Sequence, residues 1–197
     1  MEATFGVEQP MYDKPFFYVA IPATKWLVPP TTTTAGTYDP KSGAVIQIDP
    51  KTMSVTKTWL VGTTAYPICE PHGLALGPNH NVMIACGSKT DMVVKIINDQ
   101  TGAIVADVPQ VGATDMAWFN VTNMSWYVGA GSYKVNPATD LQVSPVIGVI
   151  DALTNKWVRN IPVGSIKDGK SVVVNPQTNR AYTFVSDVGP GGIRVLQ

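Results

Sequence analysis

Hydrophobic and polar residues alternate along this chain in short runs, and one run pattern occurs three times. Each copy has an apolar strand that ends in Asp or Asn, a turn that carries a threonine, and a second strand that ends at Val-Gly. The copies are residues 44–62, 92–112 and 148–164. Alternation with period two predicts β-strands, and a recurring unit too short to bury its own apolar face predicts a repeat architecture.

The segments between these copies add two more strands to each unit. PFFYVAIP (15–22), PHGLALGPNHNVMIACG (71–87), TDMAWFNVTNMSWYVGAG (114–131) and GKSVVVNPQTNRAYTFVSD (169–187) are all rich in β-branched and aromatic residues and are bounded by turn residues. The pattern therefore predicts an all-β chain of four antiparallel sheets. We place the units at residues 3–62, 63–112, 113–164 and 165–197, with the last one incomplete.

Two of these segments resemble known propeller repeats. GKSVVVNPQTNRAYTFVSD and PHGLALGPNHNVMIACGS, together with the following Asp-x-x-Thr turns, are similar to the YVTN and NHL families of β-propeller blade. At the level of the fold, the resemblance extends to gluconolactonases and propeller lyases. It implies that residues 1–197 form a single β-propeller domain or a segment of one, and that four-stranded blades pack around an axis.

The incomplete fourth unit leaves the completion of the ring open. We expect a segment of a longer propeller or a partial ring completed by another copy of the chain, because an exposed apolar sheet edge favours association. The alternative is a small four-bladed ring that the N-terminal strand closes.

Charge and composition exclude some partners. Fourteen Lys and Arg balance fourteen Asp and Glu, so no basic surface indicates nucleic acid binding. The apolar segments are short, so we expect no membrane span. The opening MEATFGVEQP has neither a basic start nor an apolar core, so we expect no signal peptide in it. Between the cytoplasm and a secreted, cell-surface or periplasmic location, we favour the latter.

The two cysteines flank a predicted hairpin whose turn is GPNHN (77–81). Regular pairing about that turn sets Cys86 opposite His72 and leaves Cys69 about three positions further along. A disulfide needs Cα atoms within about 7 Å of each other, so a bridge would require a bulge. We therefore expect two buried free thiols.

One stretch matches a nucleotide-binding motif letter for letter. Residues 164–171, GSIKDGKS, fit G-x-x-x-x-G-K-S, in which backbone amides and a lysine cradle phosphates at the start of a helix. Three valines and Asn-Pro follow Ser171, and such a sequence does not favour a helix. We interpret the match as coincidence.

The candidate site comes from aligning the repeats. The segment Cys69-Glu70-Pro71-His72-Gly73 precedes the first strand of its unit and resembles the equivalent segment of propeller lyases, in which a channel histidine acts on the substrate. The alignment sets His72, Thr114 and Lys170 at matching positions near the axis, with Glu70 and Asp115 adjacent.

Long loops are predicted to emerge on the same side as these residues. Residues 21–43 carry Trp26 and Tyr38, and residues 129–145 carry Tyr133. Binding residues concentrate on such loops.

The preferred interpretation is a binding or scaffold module for a small-molecule or protein ligand, with Thr114, Asp115, Trp26, Tyr38 and Tyr133 as ligand contacts. The alternative is a metal-assisted lyase or lactonase-type hydrolase. In that reading His72 is the general base, Lys170 steadies negative charge, and Glu70 with Asp115 holds a divalent cation such as Ca, Mg or Zn.

Overall fold

A computed structural model describes residues 6–135, 144–164, 169–186 and 191–196. The described chain is built of antiparallel strands, which confirms the predicted all-β class. Helical structure in these ranges is limited to two single 3-10 turns, Pro40–Ser42 and Pro78–His80. Within these ranges, neither helical turn could span a membrane.

Seventeen strands are defined in the described residues. In chain order they are β1 (Pro10–Asp13), β2 (Phe16–Ile21), β3 (Trp26–Val28), β4 (Thr37–Tyr38), β5 (Ala44–Asp49), β6 (Ser54–Leu60), β7 (Pro71–Leu76), β8 (Asn81–Cys86), β9 (Val94–Asn98), β10 (Ile104–Val108), β11 (Ala117–Asn120), β12 (Ser125–Ala130), β13 (Val146–Asp151), β14 (Lys156–Pro162), β15 (Val173–Asn175), β16 (Arg180–Val185) and β17 (Gly192–Leu196).

These strands form four successive sheets and one small hairpin. Sheet 1 has the order β1-β2-β5-β6, sheet 2 the order β7-β8-β9-β10, and sheet 3 the order β11-β12-β13-β14. Sheet 4 has three strands among the described residues, in the order β15-β16-β17. The β3–β4 hairpin lies within the long connection from β2 to β5. The arrangement is that of propeller-like blades that do not close into a ring.

The repeated Asp-or-Asn turn has a direct physical cause. The Oδ1 atom of Asp151 accepts hydrogen bonds from the backbone N–H of Thr154, at 2.7 Å, and from its hydroxyl, at 2.9 Å. Asn98 makes the same two contacts to Thr101, both at 3.1 Å. A short side chain that binds the backbone two or three residues ahead stabilises a turn. The two hydrogen bonds from Thr154 lower the pKa of the Asp151 carboxyl group.

The core consists of three apolar layers between consecutive sheets. The sheet 1–sheet 2 layer includes Tyr18, Val45 and Ile84. The other two are the sheet 2–sheet 3 layer, which contains Trp126, and the sheet 3–sheet 4 layer, which contains Val174. Sheets 2 and 3 therefore face another sheet on both sides, whereas among the described residues sheets 1 and 4 do so on one side.

The first strands of the sheets are neighbours. β1 contacts β7, β7 contacts β11, and β11 contacts β15. A Cβ atom on Gly73 would lie 2.5 Å from the carbonyl oxygen of Asp115, so glycine permits the close approach of β7 to the residues before β11. The backbone N–H of Met116 donates to the carbonyl of Lys170 at 3.1 Å. The segments that begin at His72, Thr114 and Lys170 therefore lie side by side.

The prediction that Cys69 and Cys86 are free thiols is wrong. Cys69 and Cys86 are buried, but they form a disulfide with Cα atoms 4.6 Å apart. The register of β7 and β8 shifts between Pro71 and Leu74, so that Cys86 pairs with Pro71 rather than with His72. This irregularity is the bulge that a bridge required.

The nucleotide-binding motif falls partly outside the described residues, because 165–168 are not among them. Beyond Ser171 the chain enters β15. A strand, not a helix, therefore follows the matching glycine, lysine and serine, as the valine run predicts.

Candidate functional site

Three polar side chains from three consecutive sheets meet where the first strands begin. The Nδ1 atom of His72 lies 3.8 Å from Oδ1 of Asp115, and the Nζ atom of Lys170 lies 3.7 Å from Oδ2 of the same carboxylate. We call His72, Asp115 and Lys170 the mouth cluster. His72 and Asp115 are each about one-third exposed, and Lys170 is the most exposed of the three.

The His72 ring is held by its surroundings in sheet 2. A Cβ atom on Gly87 would lie 2.6 Å from two atoms of the imidazole, so the ring packs directly on that glycine. Gly87 follows Cys86, and its N–H donates to the carbonyl of Glu70 at 2.9 Å. The disulfide therefore joins the two short segments that support the ring.

The neighbouring candidates Thr114 and Asp115 lie in different environments. Asp115 lies beside His72, with 3.8 Å between Oδ1 and the Nδ1 atom of the ring. Thr114 is 1% exposed, and its hydroxyl donates to the carbonyl of Cys86 at 3.1 Å. The sequence predicts that this hydroxyl contacts a ligand. Such a contact would require the hydrogen bond to Cys86 to break.

Glu70 and Tyr38 form a second polar pair beside the cluster. The Tyr38 hydroxyl donates to Oε1 of Glu70 at 3.1 Å. Both side chains line a pocket of about 500 Å³, together with residues that include Ser88, Lys89 and Thr90. Burial raises the pKa of Tyr38, and the Glu70 carboxylate adds to the increase.

The two remaining aromatic candidates lie in different settings. Trp26 is half-buried and pairs with Tyr38 across the β3–β4 hairpin. It therefore lies on the loop that contributes Tyr38 to the pocket. Tyr133 packs against the apolar layer between sheets 2 and 3. The structure therefore groups Tyr38 and Trp26 on one hairpin and places Tyr133 against the core.

The similarity of this chain to known proteins lies in its fold. No family model matches the sequence, and no curated protein matches it. Among solved structures, a chain of Kuenenia stuttgartiensis hydrazine synthase, which contains a β-propeller, superposes with a TM-score of 0.60 at 16% identity. The match covers 82% of this chain and 42% of that chain. The likeness is to a β-propeller.

At 16% identity, this likeness shows the propeller fold and carries no activity. The present chain spans less than half the length of the hydrazine synthase chain. The finer assignment to YVTN or NHL repeats stays a prediction.

Within the propeller-like array, the charges of the mouth cluster depend on one another. Contact with the Asp115 carboxylate raises the pKa of His72; burial opposes the rise, and Glu8 and Glu70 add to it. The His72 ring in turn lowers the pKa of Asp115, burial opposes this change, and Lys170 contributes to it. The cluster therefore favours the charged forms of both residues.

These shifts set the pH range in which the cluster stabilises the fold. The His72 contribution is complete below its unfolded pKa of about 6.5 and is lost as pH rises through the raised pKa. The Asp115 contribution is complete above its unfolded pKa of about 3.9 and is lost as pH falls through the lowered pKa. The pair is therefore strongest in mildly acidic solution.

Sequence reasoning missed three contributors to this site. Gly87 supports the imidazole, and Glu8 adds negative charge near it. Gln9 forms hydrogen bonds with the backbone of both sheet 2 and sheet 3. The Gln9 N–H donates to the carbonyl of His72 at 3.2 Å. None of these residues carries a motif, since each acts through contacts distant in sequence.

The sequence analysis predicts that Glu70 and Asp115 hold a divalent cation. Within the ranges that the structure describes, no three His, Cys, Asp or Glu residues form a group that could hold a metal ion. The assignment of these two carboxylates as metal ligands stays a prediction.

Proposed function

We propose that this protein is a propeller-like scaffold that binds a polar ligand at the mouth cluster. One observation carries the proposal: His72 and Lys170 reach Asp115 from sheets on either side of it. Ligand sites concentrate where side chains from several elements of a rigid fold converge.

The chemistry of the cluster favours a ligand with both donors and acceptors. The two separations, 3.8 and 3.7 Å, exceed the 2.7–3.2 Å of a direct N–H···O bond. The nitrogens of His72 and Lys170 and the Asp115 carboxylate therefore retain bonding capacity for a third partner. Since Glu8 and Glu70 also act on His72, the surroundings combine positive and negative charge. Zwitterions and hydroxyl-rich molecules match this combination.

The neighbouring pocket supports a ligand larger than the cluster alone. Glu70 lines the pocket and also affects the charge of His72. Tyr38 and Trp26 come from a loop that joins the second and third strands of sheet 1. Aromatic side chains there offer contact area at low entropic cost. A ligand that spans the cluster and the pocket would contact residues from all four sheets.

The Cys69–Cys86 disulfide supports a location in an oxidising compartment, because such bonds persist there and are rare in the cytosol. This observation agrees with the secreted, cell-surface or periplasmic location that the sequence analysis favours. In such a compartment, the ligand would be an extracytoplasmic small molecule or a surface group of another protein.

Calorimetric titration with two probes, glycine as a zwitterion and glucose as a polyol, tests the proposal. We expect saturable binding of at least one probe, weakened about tenfold or more in Asp115→Asn, because a hydrogen bond to a charged group is worth about 1.5–3 kcal/mol. Gly87→Ala should weaken binding as well, since its methyl group displaces the His72 ring.

Lys156→Met provides the matched control, because Lys156 is exposed at the start of β14, in the outermost strand of sheet 3. It should bind the probe as the wild type does. Absence of saturable binding for both probes, or equal binding by the wild type and Asp115→Asn, would contradict the proposal. The metal-assisted lyase or hydrolase stays a prediction.

A further inference from the structure

The outward surface of sheet 4 is apolar and open. Alternate residues of its three strands share this surface, as their cross-strand pairing shows: Val173 with Tyr182, Tyr182 with Val195, and Phe184 with Ile193. Phe184 is 67% exposed and Ile193 is 64% exposed. We call these five residues the sheet 4 face. Arg180 lies at its turn end, beyond the apolar residues.

Part of the outward surface of sheet 1 is apolar and exposed as well, near the turn that joins β5 to β6. Its cross-strand pairs include Tyr12 with Phe17, Phe17 with Ile48, and Ile48 with Val55. The rings of Tyr12 and Phe17 lie 4.9 Å apart, and Tyr12 is 53% exposed. We call these four residues the sheet 1 face. Among the described residues, no other sheet covers either face.

Both faces continue a series of interfaces already present in the molecule. Sheet 3 covers the inner side of sheet 4 through Tyr127, Val174 and Leu196, and sheet 2 covers the inner side of sheet 1 through Tyr18 and Ile84. Each internal interface joins the apolar face of one sheet to that of the next. In the part of the chain that the structure describes, the sheet 1 face and the sheet 4 face are the two members of this series without a partner sheet.

We propose that the sheet 4 face of one copy packs on the sheet 1 face of a second copy. The contact repeats the sheet-on-sheet packing inside the chain and buries apolar surface on both sides. It is heterologous, because two different faces meet. In a closed pair the same contact forms twice, and the second contact is favoured because the two chains are already joined.

A groove at the inner end of the sheet 4 face fits this arrangement. It has a volume of about 240 Å³, and its lining includes Trp118, Val173 and Phe184. Inside the chain, the first strand of the next sheet occupies the equivalent position, as β11 does beside β7. In the paired chains, the first strand of sheet 1 from the second copy would cover this groove.

Light scattering coupled to gel filtration tests the contact. The wild type should elute with twice the 21.1 kDa mass of one chain. Phe184→Lys and Phe17→Lys should each raise the dissociation constant at least tenfold, because each places a lysine in both contacts of the pair. Ile193→Lys and Val55→Lys repeat the test if either phenylalanine variant unfolds. Leu153→Lys, an exposed apolar position in the β13–β14 turn, should leave the mass unchanged.

Mixing the variants identifies which faces meet. Phe17→Lys and Phe184→Lys together retain one intact contact, so their mixture should contain a heterodimer at a concentration where neither associates alone. A wild type at the mass of one chain up to about 100 µM would overturn the proposal. Sensitivity to Phe184→Lys without sensitivity to Phe17→Lys would overturn it as well, since it would show a face that pairs with itself.

Discussion

Asp107→Ala is expected to lower the free energy of unfolding by about 3–5 kcal/mol, the cost of leaving a buried charge without its partner. Lys95 is 0% exposed, and its Nζ lies 2.8 Å from Oδ1 of Asp107. The same Nζ is 3.2 Å from the hydroxyl of Thr63 and lies over the ring of Tyr66. Removal of the carboxylate therefore leaves an ammonium group in the protein interior. Chemical denaturation of the wild type and the variant measures the loss.

The double variant Lys95→Met/Asp107→Leu separates the cost of the unpaired charge from the value of the pair. Replacing a buried ion pair by apolar side chains is often neutral or stabilising, so we expect the double variant to unfold close to the wild type. Equal losses in the single and double variants would contradict the interpretation. Thr63 and Tyr66 belong to the connection that leads to Cys69, so the pair also secures the approach to His72.

Removal of the disulfide in Cys69→Ala/Cys86→Ala should lower the free energy of unfolding by about 3 kcal/mol. The bond closes a loop with a sequence separation of 17, and cross-linking a loop of about 15 residues restricts the unfolded chain by roughly that amount. For a chain of this size, the corresponding drop in melting temperature is about 6–12 °C. Thermal and chemical unfolding under oxidising conditions measure both quantities.

A reductant supplies the control for the disulfide prediction. It should destabilise the wild type by a similar amount and leave the double alanine variant unchanged. A double variant as stable as the oxidised wild type would show that the bond adds nothing to the fold. Because the cysteines flank Glu70 and Gly87, the double variant should also loosen the support of the His72 ring.

Much of the architecture follows from local sequence patterns. The hairpin of β13 and β14 was predictable because Asp151 and Thr154 form its turn through bonds between near neighbours. The order of the strands followed because hairpins join consecutive strands. β1 was harder to place, because its four residues Pro10–Asp13 carry no clear alternation and yet pair with β2. The pairing of so short a strand depends on its neighbours.

The candidate site was less predictable because single-residue irregularities decide it. The register shift between Pro71 and Leu74 brings Cys69 to Cys86 and moves Cys86 away from His72. A shift of one residue also exchanges the two faces of a strand, and the alignment of the repeats, which assumes a regular register, set Thr114 rather than Asp115 at the position that matches His72. The contact of Tyr38 with Glu70 joins residues 32 positions apart, and no local pattern encodes it.

Consecutive sheets bring His72 and Lys170 to the two sides of Asp115. The most direct test of this arrangement is an NMR titration of His72 in the wild type and in Asp115→Asn. We predict a His72 pKa above its usual value of about 6.5 in the wild type and a lower pKa in Asp115→Asn. An identical His72 pKa in both proteins would contradict the account.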